Sequence, residues 1–237
     1  MYNDLLWVGQ LLLVFSMIMI CFRLWGKNGL YYWTVISVIV SNIQVVKNVQ
    51  LFGMDATLGN VVYATSFLAT DLLSEFYGPK ASKKAVGLGF FALLAMTVTM
   101  QFALLFEPSA SDISQESLQR IFGLMPRIAF ASILAYVLSN SHDVWAYEMW
   151  RKWKPGKKTL WMRNNFSTMV SQLIDTLVFT LLAFWGVYPK EVLISIMVST
   201  YVLKWVVALC DTPFMYLGRH WYEKGRIPEL VPVSPQA

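Results

Sequence analysis

The chain is 237 residues long, 57% hydrophobic and only 14% charged, against roughly 45–50% and about 25% in ordinary soluble domains. That balance excludes an ordinary soluble domain and places the chain in the membrane class. The formal net charge of +5 needs no nucleic-acid partner, because basic loops facing anionic lipid headgroups account for it.

The apolar residues fall into blocks of about twenty, the length a helix rising ~1.5 Å per residue needs to cross a ~30 Å hydrocarbon core. They predict seven transmembrane helices, over residues 5–23, 30–46, 58–77, 85–106, 124–146, 165–187 and 191–217. The first block has no basic region before it, since Met1 to Leu6 carries only Asp4, and it ends at Phe22-Arg23 without a small-residue cleavage site. It is therefore expected to stay as a transmembrane helix and not to be removed as a signal peptide. The second block is short and polar. Between the fourth and fifth, Glu107–Gly123 is acidic enough to remain solvated and is expected to be a partly helical loop. Between the fifth and sixth, Trp150–Trp161 interleaves Lys and Arg with tryptophan. A position between two spans makes that segment an interfacial anchor and not a nucleic-acid patch. No internal repeat, low-complexity stretch or long linker divides the chain, so it reads as one domain. Cys21 and Cys210 fall near helix ends. Two cysteines make no disulfide framework, and they are expected as buried free thiols.

With seven spans, the odd-numbered loops and the C-terminal tail share one side of the membrane. That side holds fourteen of the nineteen Lys and Arg residues, among them Arg23, Lys27, Lys84, Arg151, Arg219 and Arg226. The other side holds only Lys47, Arg120, Arg127 and Lys190, and Lys204 lies inside the last span. Because short loops rich in Lys and Arg stay cytoplasmic, the N-terminus is expected outside and the C-terminus inside, in a bacterial-type cytoplasmic (inner) membrane.

Ionisable groups at bilayer depth cost several kcal/mol, so they normally face protein or a water-filled cavity and mark a functional site. In the third span Asn60, Tyr63, Phe67, Asp71 and Ser74 recur every three or four residues and share one helix face, with Glu75 beside it. Asn165, Thr168, Gln172, Asp175 and Phe179 do the same in the sixth, and Met197, Tyr201, Lys204, Ala208 and Asp211 in the seventh. Three polar, aromatic-bearing faces suit a shared cavity. Asp71 and Lys204 each lie thirteen residues from the outer start of their spans, so both are about 20 Å down by helix rise. Asp175 is at a similar level across the Tyr188-Pro189 turn. Lys204 is thus expected to meet Asp175, Asp71 or both. The plainer alternative is an ion pair that only locks the bundle. His142, Asp143 and His220 are read as interfacial capping groups, Glu75 as a residue emerging into water, and Arg127 as a snorkelling side chain. No Walker-type glycine loop, HExxH metal motif or nucleophile elbow appears, so neither nucleotide hydrolysis nor any metal or cofactor is expected.

Phe67–Gly78 reads FLATDLLSEFYG. With Ser41-Asn42, Ala135–Asp143 (AYVLSNSHD), Asn165–Trp185 (ending DTLVFTLLAFW) and the K…DTPFMY pattern of Tyr201–Tyr216, it resembles the queuosine-precursor transporter family. That family is also called the vitamin-uptake-transporter or YhhQ family, and the resemblance covers about residues 30–217 in order. It implies a six-helix bundle like the substrate-binding components of energy-coupling-factor transporters, acting without ATPase partners to import 7-deazaguanine bases used to make queuosine. The chain departs from it by the added span at 5–23. It also offers only Ser37 and Ser41 where coupling-factor binders tend to carry an Ala-x-x-x-Ala contact, which favours solitary operation.

The expected architecture is therefore an all-α membrane protein of about seven helices. Residues 1–29 form an extra N-terminal helix and loop, 30–218 the transporter core and 219–237 a cytoplasmic tail. A guanine-like edge presents two adjacent donors that one carboxylate can accept, and an acceptor oxygen that an amide or Lys can satisfy. Asp71, Asp175 and Asp211 are candidates for the first role, and Asn42, Asn165, Gln172 and Lys204 for the second. Tyr63, Phe67 and Tyr201 could sandwich the flat base, at about 1–3 kcal/mol per stack by analogy with single-stranded nucleic acid binding. An aminomethyl cation on the ligand would pair with a second carboxylate. The expected substrates are 7-cyano- or 7-aminomethyl-7-deazaguanine or queuine, and the expected partners are this purine-like base and the lipid bilayer, with no nucleic acid. A homodimer is compatible with the sequence. Two other readings stay open: a binding component that needs an external energising module, and an intramembrane enzyme using Asp71, Asp175 and Lys204 as acid–base groups.

Overall fold

The computed structural model describes residues 2–153 and 160–228, without the side chains of residues 140, 143, 144, 146–148, 150–153 and 160–168. The expected anchoring of Trp150–Trp161 lies largely outside them. In chain order the elements are α1 (Tyr2–Gln44), β1 (Asn48–Leu51), β2 (Met54–Thr57), α2 (Gly59–Tyr77), α3 (Pro79–Leu104), α4 (Gln115–Phe122), α5 (Met125–Trp153), α6 (Leu160–Phe184) and α7 (Lys190–Glu223).

The first two expected spans are joined in α1, which is broken at Gly26 by φ 53° and ψ −129°, a backbone state open to glycine and strained for other residues. The break reverses the chain. Gln10 Nε2 donates to Gln44 Oε1 at 3.2 Å, whereas a straight helix would hold those residues roughly 50 Å apart. The expected connecting loop is therefore compressed into a tight turn, in which Gly29 lies so close to Cys21 that an added Cβ would sit 2.0 Å from the Cys21 carbonyl oxygen.

Among the described residues, Tyr2–Gln44, Pro79–Leu104, Gln115–Ser139 and Lys190–Glu223 are long and apolar enough to cross a membrane, and Met169–Phe184 is a shorter apolar helix. The chain is an all-α, multi-pass membrane protein. α2, which carries Asn60, Asp71 and Glu75, falls outside that set and is instead enclosed by its neighbours: Leu68, Ala69, Leu72 and Leu73 are fully buried.

The N-terminal arm of α1 is part of the core. Phe15, Ile18 and Phe22 are completely buried in one cluster with Leu68 and Leu72 of α2 and Leu203 and Val207 of α7. Phe15 stacks on Phe214 at 4.6 Å between ring centroids, and Phe22 on Phe76 at 5.8 Å. Since lipid tails are as apolar as leucine, such contacts work through close packing more than through exclusion of water. Gly59 serves that packing by bringing the start of α2 against α1, where a Cβ would meet the Ser41 carbonyl oxygen at 2.3 Å.

Between α1 and α2 stands a two-stranded antiparallel hairpin, Asn48 opposite Thr57 and Leu51 opposite Met54, where only a loop was expected. Its two turn residues, Phe52 (φ 51°) and Gly53 (φ 79°), both take positive φ, as a type I′ turn requires. The hairpin is tied on both flanks. Asn3 Nδ2 donates to the Gln50 carbonyl and the Phe52 amide to Asp4 Oδ1, while the Asp55 amide donates to Ser195 Oγ and Ser199 Oγ to the Asp55 carbonyl. At the same end Arg127 donates to the Leu182 and Trp185 carbonyls, capping the exposed acceptors at the end of α6 and not merely snorkelling. The acidic stretch is partly helical as expected, through α4.

The described basic residues of the odd-numbered loops gather at the opposite end. Arg23 donates to the Arg226 carbonyl, Lys27 lies 5.6 Å from the Tyr77 ring centroid and Lys84 5.5 Å from that of Tyr31. The bundle thus has a basic end and a hairpin end.

Gly29→Ala is expected to lower the melting temperature in detergent by several degrees, because the methyl group must force the two arms of α1 apart, at a cost of about 1–3 kcal/mol. An unchanged melting point would mean that the arms do not close on this glycine.

Candidate functional site

Lys204, halfway along α7, is buried in the middle of the bundle, and its ammonium lies 2.5 Å from Asp175 Oδ2 on α6. The pair is nearly sealed, with side-chain exposures of 6% and 10%. A charge held this deeply needs every donor placed. A second contact reaches Thr176 Oγ1 at 3.4 Å, and Nζ lies over the Tyr63 ring, 5.5 Å from its centroid. Lys204 is therefore paired with Asp175 and not with Asp71. The expectation that Asp71 and Lys204 are level does not match the register of α2 and α7. Asn60 Nδ2 donates to Thr200 Oγ1 at 2.7 Å, which aligns the first turn of α2 with the eleventh residue of α7. The opening turns of α7 run beside the hairpin before α2 begins. Asp71, eight residues beyond Tyr63, thus lies roughly 12 Å farther towards the basic end by helix rise.

A cavity with a solvent-accessible volume of ≈ 640 Å³ runs from this pair towards the basic end. α2 contributes Tyr63, Phe67 and Asp71, α6 contributes Gln172 and Asp175, and α7 contributes Lys204 and Asp211. Asn42 adds a wall from α1, its amide donating to the Val38 carbonyl at 2.8 Å. Eight of the ten candidate site residues thus line one space. Tyr201 does not: its hydroxyl donates to the Met169 carbonyl at 3.4 Å and its ring meets Trp205 edge-on. The Asn165 side chain lies outside the described residues. Tyr63 and Phe67 meet edge-to-face at 5.5 Å, so they do not form two parallel plates, but each offers an aromatic surface to the cavity. The oxygen of Gln172 is buried and has no hydrogen-bond partner among the described residues.

Two aromatic residues on this wall were not anticipated. Phe90 of α3 and Tyr136 of α5 pack edge-to-face at 5.0 Å and both line the cavity. Their helices lack a polar stripe with a buried charge, although Tyr136 falls within the Ala135–Asp143 segment already singled out. His142, read as a capping residue, lies with Nδ1 3.1 Å from Ser171 Oγ, and Ser171 also lines the cavity.

Towards the hairpin end lies a second, much smaller space of ≈ 40 Å³, bordered by Ser41, Asn60, Phe179 and Thr200. By volume it admits about three waters at most. Asn42, Tyr63, Ser132, Asp175 and Lys204 border both spaces, so the ion pair forms part of the partition between them.

Residues 57–218 match the family described as "Putative vitamin uptake transporter". Along nearly its whole length the chain is also similar to a curated "Probable queuosine precursor transporter" of Bacillus subtilis (strain 168), 46% identical over 219 residues, 92% of this chain and 96% of that protein. The chain belongs to this family. Weaker similarities reach a "Probable queuosine precursor transporter" of Haemophilus influenzae, 31% identical over 56% of this chain and 54% of that protein. A "Queuosine precursor transporter" of Escherichia coli (strain K12) is 27% identical over 61% of this chain and 62% of that protein. No solved structure matches the chain significantly. Family membership makes the chain a transporter and not an enzyme, which sets aside the acid–base reading of Asp71, Asp175 and Lys204.

Lys204→Met is expected to destabilise the protein by about 3–5 kcal/mol, because Asp175 is left buried and unpaired. Adding Asp175→Asn should restore most of that loss, and thermal melts of both single variants and the double variant give the coupling. Strictly additive losses would contradict the pairing.

Proposed function

We propose that the protein imports queuosine precursors, 7-deazaguanine-type bases such as 7-cyano- or 7-aminomethyl-7-deazaguanine or queuine, and that the large cavity is where they bind. The observation that carries this reading is the division of labour among the cavity's charges. Lys204 is held by Asp175, while Asp71 and Asp211 line the same space with no hydrogen bond or ion pair among the described residues. An open carboxylate suits the two adjacent N–H donors of a guanine-like edge, which it accepts side by side. Asp71 has the better setting for that role, because it shares a helix face with Tyr63 and Phe67, whose rings offer apolar surface to a flat heterocycle. Gln172 brings an amide whose oxygen has no hydrogen-bond partner among the described residues, and Asn42 and Lys204 line the same space. The names of the similar proteins from three bacteria favour the same substrate class.

In this reading the basic end of the bundle is cytoplasmic and the hairpin end external, in the inner membrane, since short loops rich in Lys and Arg are retained inside. The large cavity then lies on the cytoplasmic side of the Lys204–Asp175 pair.

Uptake is the direct test. In cells that can neither make nor import the precursors, expression of the protein and feeding of a candidate base should restore queuosine in tRNA. Absence of queuosine with every base fed would refute the function. Asp71→Asn should abolish uptake while leaving the amount of protein in the membrane nearly unchanged, because the amide cannot accept two donors without turning its own donor towards one of them. Uptake at the wild-type rate would remove Asp71 from the site. For orientation, a reporter active only outside the membrane and fused at Ala237 should be silent, and strong activity would reverse the topology.

A further inference from the structure

The buried apolar residues fall into two clusters. The larger fills the seam between the N-terminal arm, α2 and α7, and the smaller stands apart from it at the hairpin end. In the smaller cluster Val45, just past α1, is gathered with Ile128 and Ala131 from the start of α5, Phe184 from the end of α6 and Leu193 from the first turn of α7, with Phe179 packed against them. Val45 and Phe179 also border the space of ≈ 40 Å³. The cluster therefore closes that space on the hairpin side. Beneath it the lining turns polar, with Ser41, Asn60, Thr176 and Thr200. Hydroxyls and amides around a space that admits only a few waters gain nothing over apolar packing. They are what the outer half of a path for a polar solute requires, since the polar lining continues past Lys204 and Asp175 into the cavity of ≈ 640 Å³ and stops only at the apolar cluster.

The bonds at the hairpin end show which seam can part. Arg127 ties α5 to the Leu182 and Trp185 carbonyls of α6, and α6 runs into α7 through a short turn bridged between Trp185 and Tyr188. Ser195 and Ser199 tie α7 to Asp55 of the hairpin, and Asn60 of α2 donates to Thr200. The start of α2 is in turn pressed against α1 at Gly59. Among the described residues no hydrogen bond or ion pair at this end joins α1 to α5, which share only the apolar cluster. We infer that this cluster is the external gate of the transport path, closed in the structure, and that it opens by parting the end of α1 from α5. The inference rests on the reading of the large cavity as the binding space and of the basic end as cytoplasmic. In this movement α7 is the spine, bonded to α2 on one side and to α6 on the other, while α1 and α5 are the free edges. Lys204 and Asp175 both lie on the α6 and α7 side of the seam, so the gate opens without breaking the ion pair.

The test starts from the full chain carrying Cys21→Ser and Cys210→Ser, which removes both native thiols, and reads uptake of 7-cyano-7-deazaguanine. Val45→Cys and Ala131→Cys are then added together and bridged with a short bifunctional thiol reagent. Uptake should be lost in proportion to the bridged fraction and return on reduction, whereas the reagent should leave either single-cysteine variant as active as before treatment. Full uptake by the bridged protein overturns the inference. A second measurement needs no substrate. In the same background Ala135→Cys, on the wall of the small space, is exposed to a membrane-impermeant maleimide in right-side-out vesicles. Ile128→Ser, which weakens the cluster, should speed that labelling at least about fivefold, the effect of ~1 kcal/mol on a two-state equilibrium. An unchanged rate overturns the inference, whether or not the first pair of cysteines can be bridged. If Ile128→Ser does not reach the membrane, Leu193→Ala takes its place. Ser82→Cys, which lines the large cavity near the start of α3, should be labelled in inside-out vesicles and protected in right-side-out ones. The reverse pattern puts the cluster on the cytoplasmic side and overturns its assignment as the external gate. Labelling as expected without uptake of any base refutes the proposed substrate and leaves the gate standing.

Discussion

The organisation of this protein depends on one contact, the bond between Lys204 and Asp175. At their depth in the bundle neither charge is tolerable alone, and their 2.5 Å approach brings α6 and α7 together at a fixed height. Fixing that height has consequences on both sides. On the hairpin side the pair closes off a space of ≈ 40 Å³, and on the basic side it forms the far wall of one of ≈ 640 Å³. Among the described residues it also pairs the one lysine that lines the larger space and leaves two carboxylates, Asp71 and Asp211, facing it. Buried ion pairs are poor sources of net stability when weighed against apolar packing of the same volume. This one is better understood as a positioning device that decides which acidic side chains remain open.

The rest of the bundle is held by means suited to lipid, where burial of apolar surface between helices gains little. The arms of α1 close on each other at Gly26 and Gly29, α2 meets α1 at Gly59, and aromatic rings fill the seam between the N-terminal arm, α2 and α7. Phe76 is shared in this seam, stacking on Phe22 and on Tyr222. The hairpin acts at the other end. By bonding to Asn3 and Asp4 on one flank and to Ser195 and Ser199 on the other, it connects the first residues of α1 with the first turns of α7. It thereby sets how far α7 rises above α2.

That offset explains where the sequence was informative and where it was not. The polar stripes on α2, α6 and α7 were legible because a spacing of three and four residues assigns side chains to a helix face irrespective of the surroundings. Tyr63, Phe67 and Asp71 do share a wall of the large cavity, as do Gln172 and Asp175, while Asn60 borders the smaller space. Height was not legible in the same way. Counting thirteen residues from each span start put Asp71 level with Lys204, but the count assumed that both helices begin at one plane. Four-residue strands around Phe52-Gly53 carry too short an alternation to declare themselves beside a transmembrane block, so the element that displaces α7 was unseen. The joining of residues 5–23 and 30–46 into a single reversing helix was hidden for a related reason. Gly26 and Gly29 read as loop residues, and only their backbone contacts reveal a turn tighter than a loop. Phe90 and Tyr136 were missed because an aromatic residue on an apolar helix looks the same whether it faces lipid or a cavity.

Asp71, Asp175 and Asp211 carry the same carboxyl group, and sequence alone gave all three the same candidate role. Their differences come entirely from position. Asp175 lies where α6 and α7 exclude water, so its charge is matched within the protein and its geometry is fixed by Lys204. Asp71 and Asp211 lie nearer the basic end and line a space of ≈ 640 Å³, large enough for solvent. A carboxylate of the first kind cannot release its partner without a cost of several kcal/mol. One of the second kind exchanges a solvent hydrogen bond for a ligand hydrogen bond at nearly level free energy. In the proposed reading, affinity in such a cavity comes from how completely the ligand replaces the water it removes, and a transporter, which must release what it binds, is well served by carboxylates that water can recover.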